Sequence, residues 1–237
     1  MRELPILFSG AMVRALLNDS KTQTRRVIKL PHNNGLGQWE PMTVGGPDGG
    51  RTADGRTMPL QGAIWHTRTG DCLLCPNGQP GDRLWVRETW STDFAAHYPY
   101  DRVWYAADNG RKHDIEVRDG VRGIYSPESG EHVPFRWRPS IHMPRALARI
   151  TLEITGVRAE RLQHISEQDA ALEGVESLRN EGEYWKDYLR STASCDELLC
   201  LSARESFRTL WDSLAKPAAD WQSNPWVWVI ELKRMTP

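Results

Sequence analysis

The segment that most constrains the fold lies near the end of the 237-residue chain, where "PWVWVIELKR" occupies residues 225–234. Its first half is apolar on both faces, which is typical of a strand in the interior of a sheet. A second segment, "RITLEITGV" at residues 149–157, alternates apolar and polar side chains as a half-buried strand does. The two segments together predict a sheet with the closing strand in its middle.

The other predicted elements are short. Ser9 is placed to cap a helix that carries apolar residues at helical spacing through Leu17, and residues 22–30 read as a strand. "GDRLWVRETW" at 81–90 predicts a turn and a strand with Leu84 and Val86 on one face, and residues 102–137 offer two or three more strands. Many short strands with few helices predict an α+β protein built on a small barrel.

Helices are expected at two later places. "ISEQDAALEG" at 165–174 has Ser166 as its cap, Asp169 three residues later and Gly174 as its stop. Residues 177–215 read as helical and end in the amphipathic "ARESFRTLWDSL". By contrast, the Gly- and Pro-rich stretch from Pro31 to Gly81 predicts a long loop or a loosely structured insertion.

Charge and composition limit the classes of function. The formal net charge is only −1, so binding of nucleic acid would need a local basic patch. No apolar run approaches the roughly 20 residues that span a bilayer, and "LPILFSGAMV" is interrupted by charge, so we expect a cytoplasmic protein without a membrane partner. The 11 tryptophans suit a core, and also suit platforms on which bases stack.

The four cysteines, Cys72, Cys75, Cys195 and Cys200, leave two interpretations open. A C-x2-C pair and a C-x4-C pair could close a four-thiolate zinc site. The pairs lie far apart in sequence and lack the Gly-containing knuckle of such sites, which favours reduced structural thiols. We therefore predict no metal and no cofactor.

Four motifs occur in an order that resembles a known family: "SKTQTRR" after a helix, then "GDRLWV", then "TLEITGV" with "ISEQDAALEG", and finally "WVWVIELKR". This order resembles the ASCH domain, a PUA-like superfamily associated with RNA and modified nucleosides, and more narrowly its larger phage and prophage members. The resemblance implies a PUA-like β-barrel with helices at the connections, one domain over 1–237, and insertions at about 31–80, 92–140 and 177–205.

Some compact ASCH proteins hydrolyse the acetamide of N4-acetylcytidine. Carried over by motif, their functional lysine, threonine and glutamate fall on Lys21, Thr24 and Glu173 of this chain. The sequence departs from the hydrolases at Ser20, where they carry glycine, and in its insertions.

The chemistry of amide hydrolysis suits these residue types. Thr24 offers a hydroxyl nucleophile, and Lys21 can accept its proton if burial and the neighbouring Arg25 and Arg26 depress the lysine pKa. Glu173 stands at the end of a helix, where the negative pole of the dipole disfavours a carboxylate, so we expect a proton donor there.

Further residues are candidates for ligand contact. Arg25 and Arg26 adjoin the lysine, and Glu88 can accept from the exocyclic amine of a base or simply pair with Arg83 or Arg87. "FRWRPSIHMPR" at 135–145 interleaves cations and rings, so Arg136, Trp137 and Arg138 suit backbone contact and base stacking, or a packed tryptophan on a solvated basic face.

The sequence therefore predicts a protein that binds RNA or a modified nucleoside in a base-sized pocket, with hydrolysis of an acylated cytidine as its first candidate reaction. Two alternatives stay open: a non-catalytic RNA-binding module, and a ribonuclease of phage origin that uses the same lysine and glutamate. The oligomeric state and the natural ligand are not encoded in these patterns.

Overall fold

The computed structural model describes residues 1–32, 35–47, 50–51, 55–92, 103–108, 115–126, 130–178, 184–190 and 199–235. Over these residues the chain is a mixed α+β protein that is rich in strands and has few helices. In chain order its strands and α-helices are β1 (Glu3–Leu7), α1 (Gly10–Leu17), β2 (Gln23–Val27), β3 (Trp39–Val44), β4 (Gln61–His66), β5 (Cys72–Leu74), β6 (Arg83–Arg87), β7 (Trp90–Ser91), β8 (Trp104–Tyr105), β9 (Ile115–Arg118), β10 (Val121–Ser126), β11 (Glu131–Pro134), β12 (Thr151–Arg161), α2 (Glu167–Leu172), β13 (Trp185–Lys186), β14 (Leu199–Cys200), α3 (Ala203–Leu214) and β15 (Trp226–Met235).

A five-stranded sheet in the order β1-β6-β12-β15-β2 forms the centre of the molecule. β1 and β6 run parallel, and the remaining neighbours run antiparallel. β15 lies between β12 and β2, as its apolar sequence predicted, and Val227, Val229 and Ile230 are fully buried. The predicted strand at 149–157 is confirmed as the start of β12, whose Leu152 and Ile154 face the core.

The two edges of this sheet meet through a side chain. Arg26 on β2 donates a hydrogen bond from Nη2 to the carbonyl oxygen of Leu7 on β1, at 2.9 Å. Among the described residues no backbone ladder joins β1 to β2, so a closed barrel is not found. The coarse α+β prediction is confirmed, and the finer PUA-like barrel stays a prediction.

The predicted loop at 31–81 is wrong, because this region contains a three-stranded sheet in the order β3-β4-β5. β4 is almost wholly buried, with Ala63 and Ile64 fully enclosed. It packs directly on β12: a Cβ added to Gly62 would lie 2.5 Å from the Cα of Arg158, so glycine permits this close approach. Tertiary packing, rather than local propensity, makes these strands.

The helical prediction for 177–215 is correct only at its end. α3 reproduces the amphipathic segment, and its N-cap Ser202 accepts a hydrogen bond from the Glu205 amide. The described residues before it form the two-stranded pair β13-β14 instead of a helix. The two or three strands expected within 102–137 are present as β8, β10 and β11, and β9 is a further strand that was not predicted.

The two remaining helices match their predicted cap positions. α1 begins immediately after Ser9, but the Ser9 side chain makes no capping hydrogen bond. Ser166 caps α2 by accepting a hydrogen bond from the Asp169 amide at 3.1 Å, and Gly174 ends it with a φ of +80°. Within the described part of the chain, no helix is long and apolar enough to cross a membrane.

Candidate functional site

Lys21 and Glu173 are neighbours because backbone hydrogen bonds join the segment after α1 to the ends of α1 and α2. The backbone amide of Lys21 donates to Ala15 of α1, and the amide of Thr22 donates to Leu172 of α2. Gly174 follows Glu173, and a Cβ built there would lie 2.7 Å from Ala15 Cβ and 2.8 Å from Lys21 Cβ. Glycine at 174 therefore supplies both the positive φ that ends the helix and the space for α1 and Lys21 to approach.

The Lys21 side chain is buried and bound entirely by Glu173. Its Nζ donates to the Glu173 carbonyl oxygen at 2.7 Å and to the carboxylate Oε2 at 3.0 Å. Both side chains are almost inaccessible, at 2% and 4% exposure. Among the described residues Nζ has no third hydrogen-bond acceptor.

Arg25 holds the other oxygen of Glu173. Its Nη1 donates to Glu173 Oε1 at 2.9 Å, while Nε and Nη2 donate to Glu160 Oε1 at 3.0 and 2.6 Å. Nη2 also lies 3.2 Å from Asp169 Oδ2. The Arg25 side chain has no exposed surface, so as folded it is enclosed by the protein rather than presented to a ligand.

An outer arginine extends this group of ion pairs toward solvent. Arg158 donates to Asp169 at 2.9 Å and to Glu231 at 2.7 Å, and it lies 3.4 Å from Glu160. The chain of contacts thus runs from Lys21 through Glu173 and Arg25 to the partly exposed Arg158 and Glu231.

Thr24 and Arg26 lie on the opposite face of β2 from Arg25, because successive strand residues alternate. The Arg26 guanidinium lies 5.3 Å from the centre of the Phe8 ring, and Lys21 Nζ lies 5.5 Å from the same ring. The Phe8 ring therefore lies close to both cations. Thr24 is buried.

Burial governs the charge state of this cluster. Loss of water around Lys21 lowers the pKa of its amine, and Glu173 opposes that effect, while Arg26 and Arg25 add smaller downward contributions. The predicted depression of the Lys21 pKa is confirmed in direction, with burial rather than the arginines as the main cause. Burial also lowers the pKa of Arg26.

The surroundings of Glu173 differ from the expected helix end. The residue is the C-cap of a helix of only six residues, and two cations contact its carboxylate. In the structure Glu173 accepts hydrogen bonds from Lys21 and Arg25, and its role as a proton donor stays a prediction.

Glu88 lies in a separate buried cluster. Arg149 donates a hydrogen bond to each of its oxygens, from Nε at 2.9 Å and from Nη2 at 3.0 Å, and it also donates to Asp108. The Arg149 guanidinium lies 3.9 Å from the Tyr105 ring centre. Burial raises the pKa of Glu88, although Arg149 opposes it. The partner of Glu88 is thus Arg149, and neither Arg83 nor Arg87.

The basic segment at 135–145 is partly used for packing. Trp137 meets the Phe135 ring edge-to-face at 4.9 Å, and the Arg138 guanidinium lies 5.1 Å from the Trp90 ring centre. Arg136 is exposed. The structure does not bring these three residues into contact with Lys21 or Glu173.

The cysteines give no metal centre in the described part of the chain. Cys72 is exposed, Cys75 and Cys200 are buried, and all three are free thiols. Cys195 lies outside the described residues. Burial raises the pKa of Cys75, and it raises that of Cys200 to about 11. No group of three metal-binding side chains occurs among the described residues.

Two cavities lined by described residues lie away from Lys21. One, of about 540 Å³, is bounded by β3, β4 and β12 and includes Arg158 and Glu231 in its wall. The other, of about 640 Å³, is bounded by Trp39, Arg161 and Trp226 among others. Neither is lined by Lys21, Thr24 or Glu173.

Sequence reasoning did not identify Glu160, Asp169, Arg158 and Phe8 as part of the cluster. Glu160 occupies an alternate position of the long strand β12, and the sequence pattern assigns Asp169 only to the cap of α2. A carboxylate on a strand facing a central arginine could have been suspected from the alternation, but the pairing of β12 with β15 and β2 had to be known first.

Comparison with known proteins gives no relative: no family model, no curated protein and no solved structure matches this chain.

Proposed function

We propose that the Lys21–Thr24–Glu173 cluster binds a modified pyrimidine nucleoside, free or within RNA, and hydrolyses the amide of an acylated cytidine such as N4-acetylcytidine. The observation that carries the proposal is the buried contact between Lys21 and Glu173, which lie 152 positions apart in the sequence. The order of motifs that resembles the ASCH family supports the same assignment.

The charges of the cluster support a proton-transfer role for Lys21. A buried lysine with a lowered pKa exchanges its proton more readily than a solvated one, and Glu173 stabilises the ammonium once it forms. Arginine cannot replace it in this role, because a guanidinium stays protonated in proteins. Lys21 is therefore the proton carrier of the proposed reaction.

The proposed reaction has two halves. The neutral amine of Lys21 takes the Thr24 proton while the Thr24 oxygen bonds to the acetyl carbon. The carbon–N4 bond then breaks, N4 receives that proton from Lys21, and cytidine leaves. A water molecule next attacks the acetyl–threonine ester and gives a proton to Lys21. The ester carbon–oxygen bond breaks, Lys21 returns the proton to Thr24, and acetic acid leaves and ionises in solution.

In this proposal Glu173 orients Lys21 rather than donating a proton. Arg26 is a candidate for contact with the bound nucleoside, and Arg136, Trp137 and Arg138 are candidates for contacts to a longer RNA. Glu88, which Arg149 binds in a separate buried cluster, has no part in this proposal.

The test is incubation of the purified protein with N4-acetylcytidine, with cytidine and acetate measured over time. We expect turnover by the natural protein and a loss of about 100- to 10,000-fold in Thr24→Val and in Lys21→Met, the range that general acid–base catalysis contributes. Glu231→Gln, which alters only the outer end of the ion pairs, serves as the matched control and should retain the natural rate.

Other outcomes would overturn the hydrolase. Tight binding of the nucleoside without product favours a non-catalytic binding module. Cleavage of a labelled single-stranded RNA that is lost in Glu173→Gln favours a ribonuclease.

A further inference from the structure

Arg25 has the geometry of a residue that acts on the cluster through Glu173. We propose that Arg25 is a positioning residue, which fixes the Glu173 carboxylate so that one oxygen serves Arg25 and the other serves Lys21. This inference rests on the proposed function for its effect on catalysis, but its effect on Lys21 can be measured without any substrate.

The division of the two carboxylate oxygens is the first observation. Oε1 accepts from Arg25 Nη1 at 2.9 Å, and Oε2 accepts from Lys21 Nζ at 3.0 Å. A carboxylate with a single cationic partner could turn both oxygens to it. Because Arg25 holds Oε1, Lys21 is left with a single carboxylate oxygen and the carbonyl of the same residue.

The rigidity of Arg25 is the second observation. Its guanidinium is bonded on three sides by carboxylates that belong to different elements: Glu160 on β12, Asp169 on α2, and Glu173 after α2. The Phe207 ring of α3 covers it at 5.8 Å, and the side chain has no exposed surface. A planar guanidinium group bound in this way keeps a fixed orientation, which the single ammonium of a lysine at the same position could not reproduce.

Charge compensation gives the arrangement a consequence for proton transfer. If Lys21 loses its proton, Glu173 still has a cation at hydrogen-bond distance, so the neutral amine does not leave a buried carboxylate unpaired. The groups around the Lys21 amine are Glu173 after α2, Arg25 and Arg26 on β2, and the Phe8 ring after β1. Of these, Glu173 and the face of the Phe8 ring favour the ammonium. Arg25 and Arg26 oppose it, and Arg25 also binds one of the two carboxylate oxygens of Glu173.

The experiment compares Arg25→Gln and Arg25→Lys with Glu231→Gln as the control. Titration of the Lys21 amine is followed by NMR of protein with ¹⁵N-labelled lysine, and kcat and KM are measured with N4-acetylcytidine. In Arg25→Gln we expect the midpoint of Lys21 to rise by about one pH unit or more, because a cation is lost and Glu173 turns wholly to Lys21. In Arg25→Lys the midpoint of Lys21 should rise less than in Arg25→Gln, because the positive charge is kept. It should still rise, because one ammonium cannot bond Glu160 and Glu173 together.

The loss of kcat should follow the same order, larger in Arg25→Gln than in Arg25→Lys. We expect kcat in Arg25→Lys to fall by about 10- to 100-fold with KM nearly unchanged, as for a misplacement of about 1 Å in a reacting pair. Should Arg25→Gln fail to fold, the Lys21 midpoint and kcat of Arg25→Lys decide the question.

The failure of this inference differs from the failure of the proposed function. A natural protein without turnover would end the hydrolase proposal, while a risen Lys21 midpoint in the Arg25 variants would still support positioning. A Lys21 midpoint and kcat equal to those of Glu231→Gln, with only a lower melting temperature, would show that Arg25 merely stabilises the fold and would overturn the inference.

Discussion

Two buried glutamates, Glu173 and Glu88, have opposite kinds of partner. Glu173 divides its oxygens between Lys21 and Arg25, whereas within the described part of the chain both oxygens of Glu88 accept only from Arg149. A lysine can lose its proton when buried, and an arginine does not. Burial of a carboxylate therefore does not by itself indicate a functional site. A partner that can lose its proton makes the Glu173 cluster the better candidate for proton transfer.

The largest expected difference between the two clusters is in stability. Arg149→Met leaves Glu88 buried without a cation, which should lower the free energy of unfolding by about 3–5 kcal/mol at neutral pH. Lys21→Met should cost less, about 1–3 kcal/mol, because Glu173 keeps Arg25. Urea denaturation of both variants measures the free energy of unfolding. An equal or greater decrease in Lys21→Met than in Arg149→Met would contradict the expected difference.

A second difference is expected in the dependence of stability on pH. The folded-state pKa of Glu88 is raised above 4.5, so the folded state holds a proton that the unfolded chain has lost, and stability should fall as pH rises from 4.5 through that raised pKa. The folded-state pKa of Lys21 is lowered from 10.5, so stability should rise between the lowered value and 10.5.

Difference curves against variants isolate these two groups. The free energy of unfolding is measured from pH 4 to pH 10.5 for each variant. Its decline at acidic pH should be absent in Glu88→Gln, and its rise at alkaline pH should be absent in Lys21→Met. An alkaline limb unchanged in Lys21→Met would mean that the lysine is solvated as an ordinary ammonium.

The smallest effect is expected at the solvent end of the ion pairs. Glu231→Gln removes a pair whose members are 36% and 49% exposed, and such surface pairs contribute about 0–1 kcal/mol. A larger loss in urea denaturation would show that the outer pairs, and not Arg25 alone, hold the cluster together.

The sequence predicted the elements whose pattern is local. β12, β15, the cap of α2 and the closing amphipathic helix follow from alternation, apolar content and capping residues. The three-stranded sheet β3-β4-β5 did not, because its strands depend on packing against β12 and its glycines read as turns.

The candidate site shows the same division. The meeting of Lys21 with Glu173 was expected from motif order, and the structure brings them together. The burial of Arg25 among three carboxylates was not, since a sequence with two adjacent arginines does not say which one points inward until the strand register is known. Glu88 was considered beside the pocket, but its partner Arg149 lies 61 positions away and carries no local signal.

The most direct test of the central claim is the pH dependence of kcat/KM for N4-acetylcytidine, set beside the NMR titration of Lys21 in the same free protein. The rate should rise with pH around the midpoint at which Lys21 loses its proton, and Arg25→Lys should move both midpoints together. Absence of turnover at every pH, or a rate midpoint that stays fixed while that of Lys21 moves, would contradict it.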